Sequence, residues 1–129
     1  MDVIVKRVSF NNAVNADDFL KKHPGTQLVC PESVFSRKHV IICVEQALKA
    51  FRHGNNIARI PEVEFLVRLS GERQIKNALE KTHFNKEAVF VCWGEDSFPD
   101  LKEEFPLEEK ELEEREDKDA IERSATFWL

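Results

Sequence analysis

The chain has only four glycines and places them singly, at Gly25, Gly54, Gly71 and Gly94. Such spacing builds neither a GxxxxGK(S/T) phosphate loop nor a GxGxxG turn, so nucleotide-dependent catalysis is not indicated. The histidines lack HExxH or paired metal spacing, and no Ser/His, Cys/His or paired-carboxylate constellation is recognisable. The sequence therefore predicts a protein that is not an enzyme and that needs no metal or cofactor.

Long apolar runs are also missing, since no stretch approaches the roughly 20 residues that cross a bilayer. The N-terminus reads as a charged strand without the apolar segment and small-residue cleavage site of a secretory signal. Cys30, Cys43 and Cys92 are odd in number and show no CxxC spacing, so we interpret them as small buried hydrophobic residues. Together these absences predict a cytoplasmic protein.

The composition that remains is that of an ordinary globular protein, with 129 residues of which 42% are hydrophobic and 33% charged. Without repeats or low-complexity tracts, residues 1–129 are predicted to form a single domain. The net charge of −5 is uneven: residues 102–119 hold ten acidic and four basic side chains, whereas residues 37–86 hold ten Lys or Arg against five Glu. Either run can be an ordinary solvated face, and the basic one can also belong to a binding surface.

Hydrophobic periodicity and turn signals predict alternating strands and helices. Strands are expected at residues 3–8, 27–30, 64–69 and 88–93, the last one central in the sheet. One helix is expected from a cap at Asn15 to about residue 22, where Pro24-Gly25 stops it, and a longer one from a cap at Ser36 to about residue 53, where Gly54 ends it. A third is expected around residues 75–82, with a final amphipathic helix or extended end at residues 119–129. This order indicates a single-domain α/β sandwich with a mixed sheet of about four strands, flanking helices and a C-terminal helix.

The most informative segment for function surrounds Ser70 and Gly71, where a predicted strand ends and a helix begins at once. A helix N-terminus exposes unpaired N–H groups that attract anions, and Arg73 and Lys76 add two cations around Ile75. The alternative is an ordinary tight turn with solvated cations. If the fold gathers the basic side chains, the candidates for binding a phosphate are Arg52, Arg59, Ser70, Gly71, Arg73, Gln74, Ile75 and Lys76, with Lys49 and Arg68 nearby.

The C-terminal residues form a second candidate surface. Ile121, Ala125 and Trp128 share one side of a predicted helix, and Phe127 and Leu129 are adjacent. These side chains can pack on the protein's own core or can dock a partner, because Trp is favoured at interface hot spots.

Several segments taken together resemble one known family. They are a Cys-Pro-Glu turn at residues 30–32, an apolar helix from His39, the run Glu-Phe-Leu-Val-Arg-Leu-Ser-Gly at residues 64–71, Ile75, Ala78-Leu79 and Val-Phe-Val-Cys-Trp at residues 89–93. This pattern resembles the accessory subunits of the KEOPS complex that are related to the eukaryotic PRPK-binding protein. The short length is more typical of archaeal members. The chain departs from the family at the helix end, where His83-Phe84 stands in place of Gly-Ile.

The resemblance implies a non-catalytic role in making the threonylcarbamoyladenosine (t6A) modification of tRNA. It implies two partners: the N-terminal lobe of the complex's small atypical kinase, an ATPase whose activity the subunit supports, and the single-stranded 3′ CCA end of tRNA. An RNA role fits the basic helix start at residues 70–76. The alternative from another class is a protein-only adaptor of the kinase that does not contact RNA.

Overall fold

The computed structural model describes residues 2–114. These residues form two compact units: a sheet unit of residues 2–31 and 83–112, and a helical unit of residues 32–82 with 113–114. The strands are β1 (Ile4–Phe10), β2 (Thr26–Val29), β3 (Glu87–Cys92) and β4 (Leu107–Lys110). The helices are α1 (Asp17–Lys22), α2 (Arg37–His53), α3 (Pro61–Ser70), α4 (Ile75–Thr82) and α5 (Phe98–Glu104). The helix or extended end predicted at residues 119–129 lies outside the described residues.

The sheet unit contains one four-stranded sheet in the order β2-β3-β1-β4. The predicted α/β fold is thus confirmed, but the sheet is not mixed: each of its three strand pairs is antiparallel. It is antiparallel because β3 lies between β1 and β2 and runs opposite to both. The central position predicted for residues 88–93 is confirmed, and five of the six residues of β3 are buried, which explains their continuous apolar run.

The core of the sheet unit lies where one face of the sheet packs against α1 and α5. Val8, Phe10 and Phe90 alternate onto this face and pack with Phe19 and Leu101, all almost fully buried. The first helix ends before Pro24 and Gly25, as predicted. Its predicted cap is displaced by one residue, since Asn15 accepts the N–H of Asp17 through Oδ1 at 3.0 Å while Ala16 holds the cap position.

The helical unit begins with α2, and both of its predicted boundaries are confirmed. The Ser36 hydroxyl accepts the backbone N–H of His39 at 3.1 Å, and the helix ends at Gly54. Helices α3 and α4 follow in the same unit, and α3 packs against both α2 and α4. None of the helices in residues 2–114 is long and apolar enough to cross a membrane.

The strand predicted at residues 64–69 is wrong, because these residues lie in the middle of α3. Every residue from 64 to 70 is buried, so the run lacks the polar positions that reveal helical periodicity. The helix is marked instead by its boundaries: Pro61 occupies the first turn, and Gly71 follows the last residue with φ of +73°. The turn at Ser70 and Gly71 therefore joins two helices rather than a strand and a helix.

The acidic stretch after Trp93 also contains more regular structure than its charge indicates. It forms α5 and the edge strand β4, which pairs with β1 in the register Phe10–Leu107 to Arg7–Lys110. Leu107 packs at the margin of the core, while Lys6 Nζ lies 3.2 Å from Glu109 Oε1. Charged side chains on a short edge strand discourage pairing with other chains.

Candidate nucleic-acid interface

The turn between α3 and α4 is shaped by Ser70 and Gly71. The Ser70 hydroxyl donates to the Val67 carbonyl at 3.3 Å and accepts the Glu72 N–H at 3.2 Å. Gly71 takes the left-handed conformation that ends α3, and no atom would meet a β-carbon placed there. Since Ser70 is only 8% exposed, it shapes the turn, while Gly71 lies on the surface.

Lys81, near the end of α4, braces the same turn from the other side. Its Nζ donates to the Ser70 carbonyl at 3.1 Å and lies 3.7 Å from Glu72 Oε1. The last carbonyl of α3 is therefore bonded to a charged donor, and the one acidic side chain of the turn faces a cation. The brace fixes α4 relative to the end of α3 and offsets the charge of Glu72.

The remaining residues of this segment present a basic surface, which we call the turn surface (Arg73, Gln74, Ile75 and Lys76). Arg73, Gln74 and Lys76 are exposed, and Ile75 is half-buried. Gln74 is held locally, because its Oε1 accepts from Asn77 Nδ2 at 3.1 Å. Arg73, two residues before α4, and Lys76, in its first turn, thus place two exposed cations at the N-terminal end of the helix, an arrangement that favours an anion.

Arg52 and Arg59 lie before α3 in the chain. Both are exposed, Arg52 in the last turn of α2 and Arg59 in the loop that leads to Pro61. The loop is fixed from inside by Glu64, which is completely buried. One oxygen of its carboxylate accepts hydrogen bonds from the N–H groups of Ile57 and Ala58 at 2.7 and 2.8 Å, and the other accepts one from Arg68 Nε at 2.9 Å.

The structure therefore divides the predicted RNA-binding residues into two groups. Ser70, Gly71 and the turn surface are contiguous in sequence, whereas Arg52 and Arg59 precede α3, a helix about 14 Å long from Pro61 to Ser70. Arg68, which was considered as a further cation, is buried in its ion pair with Glu64 and is not part of either surface.

Sequence reasoning missed three apolar side chains on the surface of the helical unit. Ile57, Ile60 and Leu79 are 40%, 50% and 47% exposed, and they are the exposed large hydrophobic residues among those described. For Ile57 and Ile60 the sequence contains one indication of an unusual surface, which is that residues 46–61 contain no acidic side chain. We define the loop surface as Arg52, Ile57, Arg59 and Ile60.

His39 is the ionisable group that the fold perturbs most clearly. Burial lowers the pKa of His39, because the charged ring loses its hydration. Its Nδ1 accepts the N–H of Phe35 at 3.4 Å, which requires that this nitrogen carry no proton. The side chain therefore belongs to the structure around the start of α2 and is kept neutral there.

The other predictions about chemistry have mixed outcomes. Cys30, Cys43 and Cys92 are buried thiols, as predicted. Within residues 2–114, no group of His, Cys, Asp and Glu side chains could hold a metal ion. The predicted partner-binding residues Ile121, Ala125, Phe127, Trp128 and Leu129 lie outside the described residues. Compared with known proteins, the chain matches no family model and no curated protein.

Proposed function

We propose that this chain is a non-catalytic accessory subunit of a KEOPS complex in the cytoplasm, and that it binds the single-stranded 3′ CCA end of tRNA at the turn surface. In that role it also binds the N-terminal lobe of the complex's small atypical kinase and supports its ATPase activity. The transfer that makes threonylcarbamoyladenosine belongs to another subunit. The proposal starts from the sequence resemblance and is supported by the geometry of the turn.

The observation that carries the RNA part is the placement of Arg73, Ile75 and Lys76 on one braced turn. Arg73 and Lys76 are exposed at the start of α4, where helix N–H groups favour a phosphate. Ile75 is half-buried between them and offers an apolar surface to an unstacked base. Because Ser70 and Lys81 hold the turn by four contacts, little conformational entropy is lost when a ligand binds.

The test is a comparison of tRNA that has its CCA end with tRNA from which the CCA is removed. The wild-type chain is expected to bind the intact tRNA more tightly, both alone and within the assembled complex. Arg73→Glu and Ile75→Glu should each abolish that difference. Lys21→Glu, an equal charge change on the exposed side of α1, is the control and should leave binding unchanged. Equal binding of both tRNAs by all four proteins would remove the turn surface as the RNA site.

A protein-only adaptor of the kinase is the second candidate, and the exposed Leu79 favours it. Leu79 lies four residues after Ile75 on α4, so the two side chains share one face of the helix. An apolar pair of this kind is a common anchor for a protein partner. Copurification with the kinase that depends on Leu79 and Ile75, without any RNA binding, would establish this candidate instead.

A further inference from the structure

The turn between α3 and α4 contains one acidic side chain beside the cations of the turn surface. Glu72 is the only Asp or Glu in residues 65–79, and it directly precedes Arg73. A carboxylate in this position opposes the binding of an anion, because it repels the anion and can pair with the arginine itself. A phosphate therefore binds well at the turn surface only if another group holds the Glu72 carboxylate.

Lys81 is the cation that holds this carboxylate. Its Nζ lies 3.7 Å from Glu72 Oε1 and donates a hydrogen bond to the Ser70 carbonyl at 3.1 Å. The backbone of Lys81 is fixed as well, since its carbonyl accepts the Ser33 hydroxyl at 3.3 Å. One ammonium group thus binds the backbone of the turn and pairs with the acidic side chain of the turn.

The position of Lys81 in α4 makes a direct contact with the phosphate unfavourable. Lys81 lies in the last turn of α4, whereas Ile75 begins the helix. The last turn is the negative end of the helix dipole, and the Ser70 carbonyl lies at the same end of α3. Both helix ends favour a cation and disfavour an anion, so the ammonium group is bound by the protein and not by a ligand at the start of α4.

We propose that Lys81 is a positioning residue of the turn surface, which it keeps able to bind an anion by holding Glu72 and without contacting the ligand. The inference rests on the proposed function for the identity of the anion, a phosphate of the RNA strand. When Lys81 is removed, the Glu72 carboxylate competes with the phosphate for Arg73. An exposed ion pair of this kind changes an equilibrium by up to about fivefold, which sets the size of the expected effect.

A double-mutant cycle separates this role from a direct contact with RNA. The full-length chain is titrated with tRNA that carries its CCA end. Lys81→Met should weaken binding about fivefold in the wild-type background and less than about twofold in the Glu72→Gln background. Lys81→Arg should bind as the wild type does, because a guanidinium also donates to the Ser70 carbonyl and pairs with Glu72. Lys22→Met, exposed on α1, is the matched control and should leave binding unchanged.

An equal loss in the two backgrounds would overturn the inference. Lys81 would then act by contacting the RNA or by supporting the fold, because neither of these roles depends on the charge of Glu72. A Lys81→Met chain that fails to fold also binds weakly in both backgrounds, so recovery in the double variant is a result that a purely structural role does not give.

Inorganic phosphate is a second probe, since it tests the turn surface without RNA. The backbone N–H signals of Ile75 and Lys76 are followed by NMR as phosphate is added. They should shift in the wild type and in Lys81→Arg, and Lys81→Met should need about fivefold more phosphate for the same shift. Adding Glu72→Gln to Lys81→Met should restore the response.

The two probes distinguish this inference from the proposed function. If phosphate binding depends on Lys81 and Glu72 as expected while tRNA binds equally with and without its CCA end, the inference is supported and the proposed function fails. If tRNA binding needs the CCA end and Arg73 while Lys81→Met binds as the wild type does, the proposed function stands and the inference is overturned. If the wild type binds neither phosphate nor tRNA, both fail.

Discussion

The substitution Glu64→Gln tests whether one buried carboxylate holds both the loop surface and the centre of α3. Glu64 is fully buried and accepts three hydrogen bonds, from the N–H groups of Ile57 and Ala58 and from Arg68 Nε. A glutamine has the same shape, and its amide oxygen can keep the two backbone bonds. Its NH₂ group must then face Arg68, where one donor meets another.

The expected loss of stability follows from that mismatch. Removing one partner of a buried ion pair costs about 3–5 kcal/mol, because the other charge keeps its desolvation penalty. We expect Glu64→Gln to lower the free energy of unfolding by about 3 kcal/mol, which corresponds to a fall in Tm of about 10 °C for a chain of this size. Glu64→Ala should cost about 1–3 kcal/mol more, since it also leaves the Ala58 N–H without its acceptor. Glu80→Gln, exposed on α4, should change stability by less than about 0.5 kcal/mol.

Urea denaturation gives the free energies, and amide hydrogen exchange gives the local effect. The N–H groups of Ile57 and Ala58 should stay protected in Glu64→Gln and lose protection in Glu64→Ala. Two results would refute the reasoning: a Glu64→Gln variant within about 1 kcal/mol of the wild type, or unchanged protection of both amides in Glu64→Ala. The first would mean that the ion pair contributes little, and the second that the loop is fixed by something other than the carboxylate.

Three other predictions concern stability. Because burial lowers the pKa of His39, the unfolded chain takes up a proton more readily than the folded chain does. The free energy of unfolding should therefore fall as the pH drops below about 6.5. Urea denaturation at several pH values should show this fall, and His39→Gln should remove that part of the pH dependence. Ser36→Ala removes the cap of α2 and should cost about 1 kcal/mol by the same measurement, an idea that an unchanged midpoint would contradict. Gly25→Ala places a β-carbon 2.7 Å from the Gly94 nitrogen at φ of +78° and should lower the free energy of unfolding by about 3 kcal/mol. Gly71→Ala has a similar φ but no atom near the new β-carbon, so it should cost only about 1 kcal/mol. Equal losses in the two variants would rule out the clash at Gly25.

Much of the fold could be predicted because its boundaries are marked by local chemistry. The cap at Ser36 and the stop at Gly54 act through the backbone of their own helix, so they are readable without knowing what packs against it. The same kind of mark, Pro61 and Gly71, bounded α3, yet the apolar run between them indicated a strand. Where all residues of a segment are buried, its composition reports burial and not periodicity, and the boundary residues are the better guide.

The antiparallel arrangement of the sheet could not be predicted in the same way. The neighbours of a strand depend on where the chain returns to the sheet, and here 51 residues of the helical unit, 32–82, lie between β2 and β3 along the chain. The apolar run of β3 indicates a central strand, but nothing local to it reveals that its neighbours are β1 and β2. For the same reason the edge strand β4 was missed, since Glu108, Glu109 and Lys110 carry no apolar alternation and are strand residues only because β1 offers them a partner.

The candidate site was predicted in part for a related reason. The turn surface is contiguous in sequence, so its cations are together in any fold that starts a helix at Ile75. Whether Arg59 and Arg68 can contact a ligand depends on whether each side chain is buried. The fold exposes the first and buries the second beside Glu64.

The Glu64–Arg68 pair is better explained by the loop that it holds in position than by a gain in the stability of the fold. A buried ion pair by itself is weak evidence for stabilisation, because well-packed apolar residues often do as well. Here the carboxylate also accepts two backbone N–H groups of the loop, which an apolar side chain cannot do. At the opposite end of α3, Lys81 holds the Ser70 carbonyl in a comparable way. Each cationic surface of the helical unit therefore lies beside backbone that one side chain holds in place, Glu64 at the loop and Lys81 at the turn.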